Sequence, residues 1–278
     1  MTRRKSVNDI SKKKQQGEKI VMLTAYDYPF ANIVDQCGMD MILVGDSLAN
    51  VVLGLESTTQ VGMSQMLYHA KAVHRGVKQA LLVGDLPYRS YTNSKLAVKN
   101  AKRFVKEAGC DAVKLEWFER CPSVTKAIVK AGIPVMGHVG LTPQTAAKTG
   151  GFKLRGKDAA AAEAIIHQAQ RLQEAGCFSI VLECIPAKLA EIITQQLKIP
   201  TIGIGAGAAC DGQVLVIHDL LGLFTRFYPK FVKQYANLEE VIKKAVNQYQ
   251  AEVKQGRFPD ASHSYSMDEE EFRKVSDK

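Results

Sequence analysis

Five apolar runs in this sequence each finish, at the same end, with a residue that can carry charge. The first run is Met41-Ile-Leu-Val44, which continues through Gly45 into Asp46; the other four end at Asp85, Glu116, His138 and Glu183. Strands of a parallel sheet are covered on both faces, so they read as continuous apolar runs rather than alternating ones. The pattern therefore indicates a parallel sheet whose strands end in a common polar site.

Eight strands are predicted in alternation with helices, at residues 20–26, 40–44, 80–83, 111–115, 133–136, 178–182, 199–204 and 214–217. No linker rich in Pro, Gly or Ser divides them, and a (β/α)₈ barrel typically has ~250 residues. We therefore predict an α/β fold with a single (β/α)₈ TIM barrel over residues 1–278. The competing architecture is an open doubly wound sheet, which the glycines of residues 203–207 favour. However, that segment comes late, no clear helix opens on it, and no acidic residue follows at the ~20-residue distance that a ribose needs.

Polar residues and glycines mark several helix ends. Ser64 and Asp158 are expected to be N-caps, and Gly109 is expected to end the helix before it. The eighth predicted strand ends at His218 and Asp219.

The excess of basic residues is concentrated at the N-terminus. The formal net charge is +9, and the first 20 residues hold seven Lys and Arg against two acids. Aromatic residues are not interleaved with the basic ones, which argues against a nucleic-acid groove. We expect a solvated basic arm over about residues 1–19 and a charged, frayed tail over about residues 259–278.

Cysteine spacing and hydropathy suggest a cytoplasmic protein. None of the six cysteines forms a CxxC pair, so zinc ribbons and thioredoxin-like motifs are disfavoured. No apolar run approaches the ~18 residues of a membrane span, and the polar N-terminus lacks the apolar core of a secretory signal. We therefore expect no membrane partner and no nucleic-acid partner.

Three carboxylates follow successive predicted strands: Asp46, Asp85 and Glu116. Adjacent strands lie ~4.8 Å apart, so these acids would converge and repel one another. A hard divalent cation would relieve the repulsion, and oxygen ligands favour Mg²⁺ over zinc. The alternative is that these acids cap loops or pair with Lys and Arg.

Three further residues are candidates at the same end of the barrel. Lys114 lies two positions before Glu116 and would point into the barrel mouth, to hold a substrate carboxylate or enolate oxygen or to form a buried salt bridge. Glu183, across the barrel, is a candidate general base or a helix cap. His138 is either catalytic or a structural hydrogen-bonding residue.

The order of motifs along residues 5–260 resembles the ketopantoate hydroxymethyltransferase family. The motifs that carry this resemblance are Thr24-Ala-Tyr-Asp-Tyr28, Leu43-Val-Gly-Asp-Ser47, Asp85-Leu-Pro87, Val113-Lys-Leu-Glu116, Gly137-His-Val-Gly-Leu-Thr-Pro-Gln144, Gly150-Gly-Phe-Lys153, Leu182-Glu-Cys-Ile-Pro186 and Ile202-Gly-Ile-Gly-Ala-Gly207. The resemblance implies a barrel of the phosphoenolpyruvate/pyruvate type, assembled as a homodecamer. It also implies Mg²⁺-dependent transfer of a hydroxymethyl group from 5,10-methylenetetrahydrofolate to 3-methyl-2-oxobutanoate (2-oxoisovalerate), which gives ketopantoate for pantothenate synthesis.

The resemblance also implies a role for each matching residue. Asp46 and Asp85 would bind the metal and, through it, the substrate, with Glu116 at or near the metal. Ser47 and Lys114 would hold the oxo acid, with His138 lining the site and Glu183 as the proton acceptor.

This chain departs from the family pattern at two places, Trp117-Phe118 in place of two glycines and Tyr88-Arg89 after the Asp-Leu-Pro motif. Two other functions remain as alternatives. One is a different enolate reaction of a 2-oxo acid, such as that of a C–C lyase or a phosphonomutase, although no cysteine lies in the loop where such enzymes carry one. The other is a non-enzymatic binding protein, which would be expected to lack part of the acidic set.

Overall fold

The computed structural model describes residues 3–148 and 152–277, so Thr149, Gly150 and Gly151 of the glycine-rich segment lie outside the described residues. Eight parallel strands close into a barrel in chain order. The strands are Ile20–Thr24 (β1), Met41–Val44 (β2), Leu81–Asp85 (β3), Ala112–Lys114 (β4), Val135–Gly140 (β5), Ser179–Glu183 (β6), Thr201–Ile204 (β7) and Gly212–Leu215 (β8). The predicted barrel is confirmed, and the open doubly wound sheet is excluded.

Helices connect and surround the strands. They are Val7–Gln15 (α1), Tyr28–Gln36 (α2), Leu48–Val51 (α3), Met63–Gly76 (α4), Ser94–Ala108 (α5), Cys121–Lys130 (α6), Ala159–Glu174 (α7), Ala187–Gln196 (α8), Ile217–Leu220 (α9), Leu238–Lys254 (α10) and Glu269–Ser276 (α11). Short 3₁₀ turns occur at Thr58–Gln60, Pro143–Lys148 and Ala261–His263. The part of the chain that the structure describes contains no helix long and apolar enough to cross a membrane.

Most predicted helix ends are confirmed, and one is wrong. The Asp158 carboxylate accepts the Ala161 N–H at 2.9 Å as an N-cap, and Gly109 ends α5 in the left-handed conformation at φ 72°. Ser64, however, lies inside α4. The N-cap is extended Gly62, two residues before the predicted cap, and the N–H of Gly62 donates to the Gln65 side chain at 3.2 Å.

The eighth strand is displaced from its predicted position. β8 pairs with β1 from Ile20↔Gly212 to Leu23↔Leu215 and stops there. Two residues after Leu215, the N–H of Ile217 donates to the Thr24 hydroxyl at 3.0 Å, at the start of a short helix. His218 and Asp219 therefore lie on α9 and not at a strand end.

The prediction of a solvated N-terminal arm is wrong. Ile10 on α1 has no exposed surface and packs with barrel-interior residues such as Ile20 and Met41. Basic side chains around it form ion pairs with aspartates that directly precede strands: Lys5 and Lys13 with Asp40 (both 2.9 Å), Lys14 with Asp211 (2.8 Å) and Arg4 with Asp111 (3.4 Å). The helix therefore closes the barrel at the N-terminal ends of its strands.

The C-terminal region carries helices without buried side chains. None of the residues of α10 or α11, all of which the structure describes, is buried. α11 corrects the expectation that the tail after residue 259 is frayed throughout. Along α10 the apolar side chains of Ile242, Val246, Tyr249 and Val253 repeat at helical spacing and are about half exposed.

Candidate active site

On several strands, a polar residue at the barrel mouth follows a buried apolar residue of the barrel interior by two positions. Val83 and Ala112 belong to the interior core, and Asp85 and Lys114 follow them on the same strand faces. The same two-residue step relates Met136 to His138 and Val181 to Glu183. Because alternate residues of a strand share a face, these polar side chains meet at the C-terminal end of the barrel.

Glycines before two of these residues let surrounding helices approach the strands. A Cβ on Gly84 would lie 2.4 Å from the Phe104 ring of α5, and a Cβ on Gly137 would lie 2.9 Å from Leu172 of α7. Such distances exclude a larger residue without movement of the helix. The Gly-Asp and Gly-His pairs in the sequence therefore combine helix packing on one face with a polar group on the other.

Asp85 lies at the centre of the site and is almost fully buried. Its Oδ2 accepts a hydrogen bond from Lys114 Nζ at 2.7 Å and another from the backbone N–H of Asp46 at 3.3 Å. The salt bridge considered for Lys114 is thus formed. Burial lowers the pKa of Lys114, but the carboxylates of Asp85 and Asp46 outweigh burial and the pKa is raised, so Lys114 is a cation at neutral pH.

Gln144, to which the sequence assigned no role, connects the second and fourth strands. Its backbone N–H donates to Glu116 Oε2 at 3.1 Å, and its side-chain Nε2 donates to Asp46 Oδ2 at 2.9 Å. The hydroxyl of Tyr91 donates to Gln144 Oε1 at 2.5 Å. The motif Gly137 to Gln144 contained this residue, but nothing in the spacing showed that the loop turns back over the barrel.

His138 lies between two carboxylates. Its Nδ1 is 3.7 Å from Glu116 Oε1, and its Nε2 is 3.3 Å from Glu183 Oε2. Neither contact meets hydrogen-bond geometry, and both ring nitrogens are buried without a hydrogen-bond partner among the described residues. Glu183 has the more accessible carboxylate, with a side chain 16% exposed against 1% for Glu116.

Ser47 adjoins Asp46 in the chain and contacts a second residue that the sequence did not single out. Its Oγ lies 2.8 Å from the hydroxyl of Tyr26. Burial raises the pKa of Tyr26 above its usual value, so the phenol stays protonated. The ring of Tyr26 also packs on that of His218, with centroids 5.4 Å apart.

Burial and mutual repulsion oppose ionisation of two acids of the site. Burial, and then the neighbouring charge of Asp85, raise the pKa of Asp46 to about 7. Burial, and then the charge of Asp46, raise the pKa of Glu116 well above its usual value. Asp85 Oδ1 and Glu116 Oε1 are buried and have no hydrogen-bond partner in the described part of the chain.

These donors fit a hard divalent cation, although three acids are not gathered around one point. Within residues 3–148 and 152–277, no group of three or more His, Cys, Asp or Glu side chains is arranged to hold a metal ion. Glu116 lies against Gln144 and His138 instead, which is why the convergence expected from strand spacing is absent. Mg²⁺ commonly uses one or two protein carboxylates and completes its shell with water or substrate oxygens. The buried, unpartnered oxygen of Asp85 beside Asp46 suits that requirement.

The two departures from the family pattern flank the site. Trp117 N–H donates to the His138 carbonyl at 2.9 Å, and Arg171 lies over the Trp117 ring at 5.6 Å. Phe118 meets the Tyr91 ring edge to face, with centroids 5.6 Å apart. Arg89 has a positive φ of 63°, and its guanidinium lies 5.2 Å from the centroid of the Tyr88 ring.

A family model described as ketopantoate hydroxymethyltransferase matches residues 4–261. The chain belongs to the ketopantoate hydroxymethyltransferase family. Proteins named 3-methyl-2-oxobutanoate hydroxymethyltransferase are similar to it over nearly their whole length. That of Moorella thermoacetica is 58% identical over 253 residues (91% of this chain, 94% of the relative), and that of Syntrophus aciditrophicus is 57% identical over 253 residues (91% and 93%).

Solved structures extend the likeness in fold beyond the ketopantoate hydroxymethyltransferase family. A phosphonopyruvate hydrolase aligns with a TM-score of 0.62 at 13% identity and covers 100% of this chain and 95% of its own. A 2,3-dimethylmalate lyase of the PEP mutase/isocitrate lyase superfamily aligns with a TM-score of 0.58 at 14% identity (98% of each chain). At these identities the likeness supports the predicted barrel type and carries no statement about chemistry.

Proposed function

We propose that this protein transfers a hydroxymethyl group from 5,10-methylenetetrahydrofolate to 3-methyl-2-oxobutanoate, with Mg²⁺, to form ketopantoate. Family membership supports the class of reaction. The observation that carries the chemistry is the buried set of Asp46, Asp85 and Lys114 facing Glu183 across the barrel mouth. Acids and a cation in one buried site suit a substrate that carries a carboxylate and an adjacent ketone.

Asp46 and Asp85 would hold the Mg²⁺, with Glu116 at or near it. When bound, the ion supplies Lewis-acid polarisation of the 2-oxo group, which makes the C3 proton more acidic. Lys114 would attract the 1-carboxylate or the oxygen on which charge develops, and it is already oriented by Asp85. Ser47, held by Tyr26, would add a hydroxyl donor to the oxo acid.

Glu183 would act as the general base. It is the most accessible carboxylate of those around His138, and it lies on the opposite side of that ring from Glu116. After Glu183 removes the C3 proton, the C3 carbon forms a bond to the methylene carbon of the folate. That carbon is first released as formaldehyde: water supplies its oxygen, the bonds to the two folate nitrogens break, and the two protons of water go to those nitrogens, which gives tetrahydrofolate. When C3 adds to the formaldehyde carbon, the C=O double bond becomes a single bond, and the proton held by Glu183 goes to the new alkoxide to form the hydroxyl group.

We also propose that the protein assembles with copies of itself, in line with the homodecamer implied by the family resemblance. A surface helix normally buries its apolar stripe against a core. On α10 the stripe that includes Ile242, Val246 and Tyr249 is about half exposed. A second copy of this chain is the occupant that fits such a repeated apolar face.

The proposed function is tested by separating proton removal from transfer. The wild-type protein with Mg²⁺ is expected to exchange the C3 hydrogen of 3-methyl-2-oxobutanoate with D₂O, and to form ketopantoate when the folate is added. Glu183→Gln keeps size and hydrogen-bonding shape but cannot accept the proton. We expect its exchange rate to fall by the roughly 10²–10⁴-fold that a positioned base supplies.

Glu191→Gln, an identical change at an exposed position of α8, is the matched control and is expected to leave exchange unchanged. A Glu183→Gln protein that exchanges at the wild-type rate would remove Glu183 from this role. A wild-type protein that forms no ketopantoate from the two substrates would refute the proposed function itself.

A further inference from the structure

We infer that Gln144 and Tyr91 are positioning residues that fix which oxygens of Asp46 and Glu116 face the substrate and its cation. This inference rests on the proposed function, since it assigns how the acids of that site are oriented. Gln144 comes from the turn after β5 and Tyr91 from the segment after β3. Both side chains are more than nine-tenths buried, and neither residue belongs to the set predicted from the sequence.

The amide of Gln144 has one favourable orientation. Its Nε2 donates to Asp46 Oδ2 at 2.9 Å and to the Leu86 carbonyl at 3.1 Å. Turning the amide by 180° would place its oxygen against a carboxylate and a carbonyl, which are both acceptors. The two contacts therefore select the same orientation of the amide, and the selection is strong because the site is buried.

Tyr91 reinforces this orientation from the other side. Its hydroxyl accepts the backbone N–H of Glu116 at 3.4 Å and donates its own proton to Gln144 Oε1. The edge-to-face contact with Phe118 holds the ring. Phe118 is one of the residues at which this chain departs from the family pattern, and that departure contacts the positioning pair through Tyr91.

The result is that Asp46, Asp85 and Glu116 each have one carboxylate oxygen hydrogen-bonded within the protein. The side-chain amide of Gln144 donates to Oδ2 of Asp46, its backbone N–H donates to Oε2 of Glu116, and Lys114 donates to Oδ2 of Asp85. The remaining oxygens of Glu116 and Asp85 are buried and have no partner in the described structure. A neutral amide can orient carboxylates without cancelling their charge, whereas a second lysine would compete with the cation.

The test measures Mg²⁺ affinity directly, by titrating MgCl₂ into the full-length protein in a calorimeter. Gln144→Met preserves length, removes the side-chain amide that contacts Asp46 and Tyr91, and leaves the backbone N–H bond to Glu116 in place. Loss of a residue that orients metal ligands typically weakens metal affinity about 10–100-fold, and we expect a shift in Kd of about tenfold or more. Tyr91→Phe removes only a hydroxyl and should weaken binding in the same direction.

A double variant distinguishes positioning from two unrelated losses. If Tyr91 acts through Gln144, the protein with both substitutions should bind Mg²⁺ no more weakly than Gln144→Met alone. Gln173→Met is the matched control. That glutamine accepts hydrogen bonds from Lys198 N–H and Ile199 N–H at 2.6 and 3.3 Å, away from the barrel mouth, and its loss should not alter Mg²⁺ affinity.

Wild-type affinity in Gln144→Met, or additive losses in the double variant, would overturn the inference while leaving the proposed function intact. If Gln144→Met does not fold, Tyr91→Phe decides alone: a weaker Kd supports the inference and an unchanged Kd refutes it. Absence of Mg²⁺ binding and of ketopantoate formation in the wild-type protein would instead be a failure of the proposed function.

Discussion

Replacing Ile10 by alanine should destabilise the whole barrel, although this residue lies in a basic segment that the sequence alone suggested was solvated. Ile10 has no exposed surface, and its neighbours are the interior residues of the barrel, among them Ile20 and Met41. The substitution leaves a cavity at the closed end of the barrel. The cost is therefore that of a core residue and not of a surface one.

The size of the effect can be bounded from the surroundings of α1. Substitution of a buried isoleucine by alanine costs about 2–5 kcal/mol of unfolding free energy, and the cost is greater where the site cannot collapse. Here the helix is anchored on both sides, by Lys13 to Asp40 and by Lys14 to Asp211, so it cannot move freely into the cavity. We therefore expect the upper half of that range. For a chain of this size, each 1 kcal/mol lowers the Tm by about 2–4 °C, so the Tm should fall by about 7–20 °C.

The assay is thermal unfolding followed by circular dichroism, with activity measured at 25 °C. Asn8→Ala, at an exposed position of the same helix, is the control and should shift the Tm by no more than about 1–2 °C. Activity per folded molecule should be unchanged in Ile10→Ala, because α1 lies at the end of the barrel opposite the acids. A shift in Tm no larger than that of the control would mean that the helix is not part of the core.

Two further predictions concern the other end of the chain. Burial raises the pKa of Asp219 to about 6, above the ~3.9 of an unfolded chain, so its contribution to stability is fully present below about pH 4 and is lost as the pH rises through 6. Asp219→Asn should therefore raise the Tm relative to wild type at pH 8 and have little such effect near pH 4; an equal shift at both pH values would contradict burial as the cause. On α10, Val246→Glu places a charge in the exposed apolar stripe and should reduce the mass of the assembly measured by light scattering, while Lys244→Glu, at another exposed position of the helix, should not. An unchanged mass in Val246→Glu would show that this stripe is not an interface.

Much of the barrel was predictable because its strands are buried on both faces. The run before Asp85 and the run before Glu183 are apolar without interruption, and the structure has strands at both places. The last strand was misplaced for the opposite reason. β8 starts at Gly212 and Gln213, which carry no apolar signal, and the apolar residues through Ile217 belong partly to the next turn. Pairing with β1, and not local hydropathy, determines where β8 begins and ends.

The charged residues of the site were predictable from strand periodicity. The residues that orient them, Gln144 and Tyr91, were not. Asp85 and Lys114 each follow an interior residue of their strand by a two-residue step, which the sequence states directly. Gln144 and Tyr91 reach the same acids from loops, and the path of a loop has no period from which the direction of a side chain can be inferred. The residues that orient the site therefore became apparent only from the three-dimensional contacts.

The basic arm was misread because its partners are distant in the sequence. Lys14 pairs with Asp211, and Arg4 pairs with Asp111. A usable signal was nevertheless present: an aspartate stands immediately before β2 and before β4, where an apolar strand enters the core. An aspartate at the start of a buried strand requires a cationic partner, and the Lys and Arg side chains of the N-terminal segment are those partners.

The two ends of the barrel differ in how their acids are neutralised, and this difference supports the proposal that the chemistry takes place at the open end. At the closed end, Asp40 is hydrogen-bonded by two lysines; burial acts to raise its pKa, but the bonds from Lys13 and Lys5 outweigh burial and lower it. Its charge is therefore satisfied within the protein. At the open end, Lys114 lies among several carboxylates, and burial together with the charge of Asp85 raises the pKa of Asp46 to about 7. A cation bound near Asp46 would favour the ionised form of this acid, which the protein alone opposes. Asp40 already has lysine partners, so an added cation would change its ionisation much less. This contrast is the reason to place a cation at the open end of the barrel.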